Sequence, residues 1–128
     1  MKKVEAIIAP SKLDAVRDSL VAQGVGGLSV SEVVGHGHEP HHVSRYRGTP
    51  YVVDLHPKVK LEIVVRDEDA IPIAYAIVDA ARTGRVGDGK VMIVPVDDAV
   101  RVRTGEHGLR AIHTHVEPPV EKRWAAQR

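Results

Sequence analysis

Residues 58–65 carry the clearest alternation in the chain. Val59, Leu61, Ile63 and Val65 fall on one side of an extended segment, and Lys58, Lys60, Glu62 and Val64 on the other. That period of two predicts a strand burying one face. Residues 3–9 hold the apolar cluster Val4, Ala6, Ile7 and Ile8 and read as a buried strand. After Pro10, Ser11 is placed to cap a helix with Asp14 in its first turn. Leu13, Val16 and Leu20 follow helical spacing, and Gly24 is a natural stop. Residues 27–35 read as a second strand with Leu28 and Val30 on one face, and the change of phase at Val33 predicts a bulge or bend. A second helix is expected over about 69–83, with Pro72 tolerated in its first turn and Gly84 ending it. Strands at 91–96 and 99–103 complete the series.

The order strand, helix, strand, strand, helix, strand predicts an α+β, ferredoxin-like βαββαβ fold: an antiparallel sheet with two helices on one face. The opposite face, lined by Lys60, Glu62 and Val64, then needs a partner. A chain of 128 residues has no third layer to spare, so self-association is the economical cover. Residues 36–57 are too long for an ordinary hairpin connection, and loops of that length in compact domains are usually functional or disordered. Beyond Leu109 the chain reads as a polar tail containing His113, His115, Pro118-Pro119 and Trp124, with Trp124 a candidate anchor.

Composition narrows the classes. The length suits one domain, and 43% hydrophobic residues suit a globular one. Phe is absent, with one Trp and three Tyr, so the core must be aliphatic. Scarce aromatic rings also weigh against single-stranded nucleic acid as a partner. Eighteen basic and seventeen acidic side chains leave a net charge of +1, so any anion site must be local. Without cysteine there are no disulfides, thiolate metal sites or cysteine nucleophiles. The apolar run Ala6–Ala9 is too short for a signal peptide, and nothing approaches a membrane span. A soluble cytoplasmic protein without membrane insertion is the expectation.

Two features carry chemistry. The turn Thr83-Gly84-Arg85-Val86-Gly87-Asp88-Gly89-Lys90 has three glycines in six residues, which lets backbone N–H groups converge on an anion. Arg101 and Arg103, two apart, leave one face if that segment is a strand, and paired guanidinium groups suit phosphate oxygens. Together they point to a nucleotide or polyphosphate. Gly84, Gly89 and Lys90 satisfy the P-loop spacing, but Val91 stands where the magnesium-binding Ser or Thr belongs. The turn also runs from helix to strand, the reverse of a P-loop. A helix C-cap followed by a tight turn, with Lys90 solvated, is the other reading. No nucleophile with a positioned base stands out, so an enzyme is not expected.

Four separated segments resemble the PII signal-transduction family. They are Tyr46-Arg47-Gly48-Thr49-Pro50-Tyr51, Pro57-Lys58-Val59-Lys60-Leu61-Glu62-Ile63-Val64, the glycine turn, and Arg101-Val102-Arg103-Thr104-Gly105-Glu106. The resemblance covers residues 1–112 as one ferredoxin-like domain and leaves 113–128 as a C-terminal tail. It implies a homotrimer binding ATP or ADP between subunits, with residues of about 36–57 forming a T-loop that contacts targets. An ammonium transporter, or an enzyme or regulator of nitrogen metabolism, is the kind of target implied. Gly87, Asp88, Gly89 and Lys90 would cradle phosphates, with Arg101 and Arg103 arriving from the neighbour. Ile7, Ser29, Glu62 and Val64 would surround adenine and ribose, and Gly35, Gly37 and His38, at the base of the loop, would complete the nucleotide-binding set.

The chain also departs from the family. Members that bind 2-oxoglutarate usually carry glutamine in place of Glu39 and lysine in place of Ala9. The effector set implied here is Gly37, Glu39, Lys58 and Gly87, with Glu39 also the candidate Mg2+ ligand beside ATP. A carboxylate at position 39 adds negative charge next to a dianion, a repulsion of about 4 kcal/mol at 4 Å and an effective dielectric of 20 before metal compensation. The resemblance therefore leaves 2-oxoglutarate binding open. Tyr51 matches the tyrosine uridylylated in some members, although Pro50 replaces an acidic residue before it. His36, His38, His41 and His42 fall within seven residues, so a divergent sensor of a metal or another small anion is the alternative function.

Overall fold

The computed structural model describes residues 1–36, 42–47, 49–53 and 55–112. Strand β1 spans Lys2–Ile8, a 3-10 turn covers Pro10–Lys12, and helix α1 spans Leu13–Ala22. Then come β2 (Ser29–Gly35), β3 (His42–Tyr46), β4 (Thr49–Val53), β5 (His56–Val65), α2 (Asp67–Ala81), β6 (Gly89–Pro95) and the short α3 (Leu109–Ile112). Four strands form an antiparallel sheet in the order β2-β5-β1-β6, and β3 pairs with β4 in a separate ribbon. This is the ferredoxin-like arrangement expected from the order of elements.

The period-two pattern sets the core. Val4, Ala6 and Ile8 of β1 and Val59, Leu61, Ile63 and Val65 of β5 are buried on one face. Val16 and Leu20 of α1 and Ala70, Ile73, Ile77 and Ala81 of α2 cover them, at the spacings one helical stripe requires. Burying one such Val, Leu or Ile contributes about 1.5–3 kcal/mol, so the aliphatic core is the main stabilising term. Asp67, Glu68 and Asp69 occupy the first turn of α2, where its positive dipole end favours them. The Met1 amine lies 2.8 Å from Asp67 Oδ1, and Val96 N–H donates to the Met1 carbonyl at 3.2 Å, so the chain start is tied to both α2 and the end of β6.

Four local expectations are corrected. Ser11 makes no cap: it lies inside the 3-10 turn that Pro10 initiates, and α1 starts after Lys12 without a side-chain capping bond. The bulge expected at Val33 is absent, because β2 pairs with β5 in unbroken register from Ser29 to Gly35. The loop over 36–57 contains β3 and β4, joined so that Tyr46 pairs with Thr49 and Arg47 takes a left-handed φ of 51°. Residues 99–103 form no strand of the sheet. A single bridge pairs Val100 with His107, and the chain between them turns back on itself. Among the described residues, no helix is long and apolar enough to cross a membrane.

Candidate functional site

The sheet face away from the helices is organised in rows by strand register. One row runs Ser31, Lys60, Ile7, Lys90 across the four strands. The next runs Ser29, Glu62, Glu5, Met92, and the third Val64, Lys3, Val94. Ile7, Ser29, Glu62, Val64 and Lys90, widely spaced in sequence, therefore share one surface. Glu5 and Glu62 stand directly opposite, an unfavourable like-charge pair. Two lysines offset it. Lys3 Nζ donates to Glu62 at 3.2 Å and approaches Glu5 at 3.8 Å, while Lys60 Nζ lies 3.5 Å from each carboxylate. The Lys3 hydrogen bond, with the charges of Lys3 and Lys60, holds the Glu62 carboxyl below the ordinary glutamate range.

The glycine turn closes one end of this face. Gly84, Gly87 and Gly89 all have positive φ, of 84°, 101° and 104°. At Gly89 a side chain is excluded outright. A Cβ there would overlap the Ile7 carbonyl oxygen and sit 2.8 Å from the Ile7 carbonyl carbon. The Asp88 side chain points back into the turn. It accepts from the Thr83 hydroxyl, from Thr83 N–H at 2.8 Å and from Gly84 N–H at 2.9 Å. These bonds, the Thr83 hydroxyl foremost, lower the Asp88 pKa. What Asp88 offers an anion is thus its backbone, while its carboxylate shapes the turn. From across the sheet Lys58 Nζ donates to the Gly87 carbonyl at 2.7 Å, fixing the turn against β5.

Between the turn and the end of β2 lies an open cleft of about 560 Å3. Ile7 forms part of its floor; Val33, Val34, Gly35 and His36 line the β2 side, and Val86, Gly87 and Gly89 the turn side. Lys58, Lys60 and Lys90 all border it, and no acidic residue is among the described residues lining it. Cations around an apolar floor suit a ligand with a flat apolar part and an anionic tail. The structure thus brings Ile7, Gly35, Lys58, Gly87, Gly89 and Lys90 to one cleft. Ser29, Glu62 and Val64 lie further along the same face.

Arg101 and Arg103 sit elsewhere. They do not line this cleft; they occupy the loop between Val100 and His107, on either side of the fully exposed Val102. Arg101 N–H donates to the Glu106 carbonyl at 2.9 Å, and Gly105 N–H to the Arg101 carbonyl at 2.7 Å. The Arg101 guanidinium lies 3.5 Å from Glu106 Oε1. Asp98 closes the loop base, accepting from Ala99 N–H at 2.8 Å, from Gly108 N–H at 3.2 Å and pairing with His107 Nδ1 at 3.1 Å. The His107 bond is the chief reason its carboxyl titrates below the usual aspartate range. Sequence reasoning missed Asp98 as the organiser of this loop; an aspartate ahead of a turn was its only signal.

Gly37, His38, Glu39 and His41 lie outside the described residues, as do the tail residues from His113 onward. Tyr51 falls in β4, its backbone opposite Ser44. Comparison with known proteins bears on the whole arrangement. A family profile described as nitrogen regulatory protein P-II matches residues 1–106. Proteins named nitrogen regulatory protein P-II from Cereibacter sphaeroides, Rhizobium meliloti and Azospirillum brasilense are 54%, 51% and 50% identical over 112 residues. Each alignment takes in 88% of this chain and 100% of the relative. With the profile matching from the first residue and half-identical relatives aligned over their whole length, the chain belongs to the nitrogen regulatory protein P-II family.

Proposed function

We propose that this protein is an ATP/ADP-responsive regulator that binds nucleotide in the cleft beside the glycine turn and controls nitrogen-metabolism targets through residues of about 36–57. The observation that carries the reading is the cleft itself: three lysines and a positive-φ glycine turn around an apolar floor. Phosphates meet Lys90 and the backbone of residues 87–89, while Ile7, Ser29, Glu62 and Val64 flank the base and sugar. Arg101 and Arg103 belong to the corresponding cleft of a neighbouring subunit in a homotrimer. An uncovered sheet face and a fully exposed Val102 between these arginines support that assignment. Regulation follows from different affinities of a target for the two nucleotide states, with no turnover required. A membrane transporter's cytoplasmic face or a soluble enzyme would both be reachable from the cytoplasm.

Calorimetric titration with ATP and with ADP tests the site. Lys90→Ala combined with Arg103→Ala should weaken both, and unchanged binding in that double variant refutes the placement. Light scattering tests the trimer. A 2-oxoglutarate titration with Mg2+ and ATP, on the wild type and on Glu39→Gln, tests whether the carboxylate sets effector choice.

A further inference from the structure

The chain's 128 residues exceed by sixteen the 112 that align with relatives matched over their whole length. Because the family profile starts at residue 1, that surplus falls at the C-terminal end. Residues 113–128 contain Lys122, Arg123 and the chain's single tryptophan, Trp124. The relatives aligned over their whole length have no counterpart to them.

The described chain leads straight to a candidate surface. Ile112, the last described residue, lines a second cleft of about 420 Å3, remote from the glycine turn. The loop after α1, the end of β5 and the first turns of α2 border this open cleft. Ile63, Val65 and Ile73 contribute an apolar floor, while Gln23, Arg66 and Asp69 form its polar edge. Beside that edge lie Asp67 and Glu68, which with Asp69 give three successive carboxylates. Arg66 Nε lies 3.4 Å from Glu68 and 3.2 Å from Asp69, and the Met1 amine pairs with Asp67 at 2.8 Å, which leaves the cluster one net negative charge.

We propose that residues 113–128 fold back into this cleft of their own chain, with the Trp124 indole on the apolar floor and Lys122 and Arg123 against the carboxylates that open α2. Three observations carry it. The segment starts at a residue lining the cleft, so its local concentration there is far above that of any separate copy. Its twelve residues from Ile112 to Trp124 reach about 40 Å when extended, more than a return path requires. Glu121, Lys122 and Arg123 give the stretch before Trp124 one net positive charge, opposite in sign to the rim, and an indole is the side chain with most apolar area to gain from such a cleft. Arg66 also offers a guanidinium for the ring face to stack on.

The chain has no cysteine, which makes a cross-linking test clean. Gln23→Cys with Ala125→Cys, which keeps Trp124, should lose its thiols on mild oxidation and still migrate as a single chain under denaturing conditions. Persistence of both thiols overturns the docking, and a band of two chains overturns its assignment to the same chain. Trp124 fluorescence gives a second readout on the otherwise unaltered protein. Acrylamide should quench it at least twofold more strongly once Glu68→Lys and Asp69→Lys reverse the rim. Equal quenching in wild type and variant overturns the placement at this cleft. Neither experiment contains nucleotide, so a failure of the nucleotide reading would leave both results standing.

Discussion

Gly89→Ala separates two reasons for a glycine in the turn: access to an anion and packing against the sheet. At φ 104° the residue lies outside the left-handed well that other residues can enter, which costs about 1–3 kcal/mol of backbone strain. The added Cβ would also overlap the Ile7 carbonyl oxygen and approach Ile8 Cα to 3.1 Å. These are backbone atoms of β1, which is held between β5 and β6, so they cannot swing aside as a side chain would. Relief requires the start of β6 to lift from β1, losing at least one ladder hydrogen bond at about 1 kcal/mol net. The sum is about 3 kcal/mol or more, against a typical domain stability of about 5–15 kcal/mol. That is a fall in melting temperature on the order of 10 °C. Gly84→Ala is the matched control: φ is 84° but nothing lies within 4 Å of the new atom, so only strain of about 1–2 kcal/mol remains. Urea unfolding followed by circular dichroism, at one fixed protein concentration, compares them. If the two variants unfold within about 0.5 kcal/mol of each other, the packing argument is wrong.

Replacing Lys58 by Met removes the charged donor to the Gly87 carbonyl and should cost about 1.5–3 kcal/mol in urea unfolding, with faster amide exchange across 84–89. Asp88→Ala should destabilise the protein at neutral pH by freeing Thr83 and Gly84 N–H. Because folding lowers the Asp88 pKa, its contribution is complete above the ordinary aspartate value of about 3.9 and disappears as pH falls through the depressed one. The stability gap between wild type and Asp88→Ala should therefore close in acid; a gap that persists there assigns the effect to something other than the carboxylate. Asp98→Ala should behave with the same sign through the loop carrying Arg101 and Arg103, and nuclear magnetic resonance of Gly105 and Gly108 amides would report that loop's opening.

Much of the fold was legible because burial imposes a period. Val59, Leu61, Ile63 and Val65 alternate because one face of β5 is covered, and the α2 stripe recurs because one side of a helix meets that face. The same logic fails at an edge. β2 is an outer strand whose residues are mostly exposed in the single chain, so Val33 and Val34 obey no burial rule and their phase change marks no bulge. Arg101-Val102-Arg103 alternates like a strand, yet Asp98 and the positive φ of Gly105 close it into a loop, through contacts several residues away. Ser11 had a capping side chain but followed a proline that had already begun a tighter turn.

For the site, local sequence determined the ingredients: the glycines that permit positive φ, the lysines, and the motifs that mark the family. Only tertiary structure decided their arrangement. Strand register put Ile7, Lys60 and Lys90 in one row, and the approach of β6 to β1 made Gly89 a steric necessity. The physical reason is range. Backbone preference and periodicity are properties of neighbours along the chain, whereas a cleft exists only where segments distant in sequence are held at fixed separation by a common core.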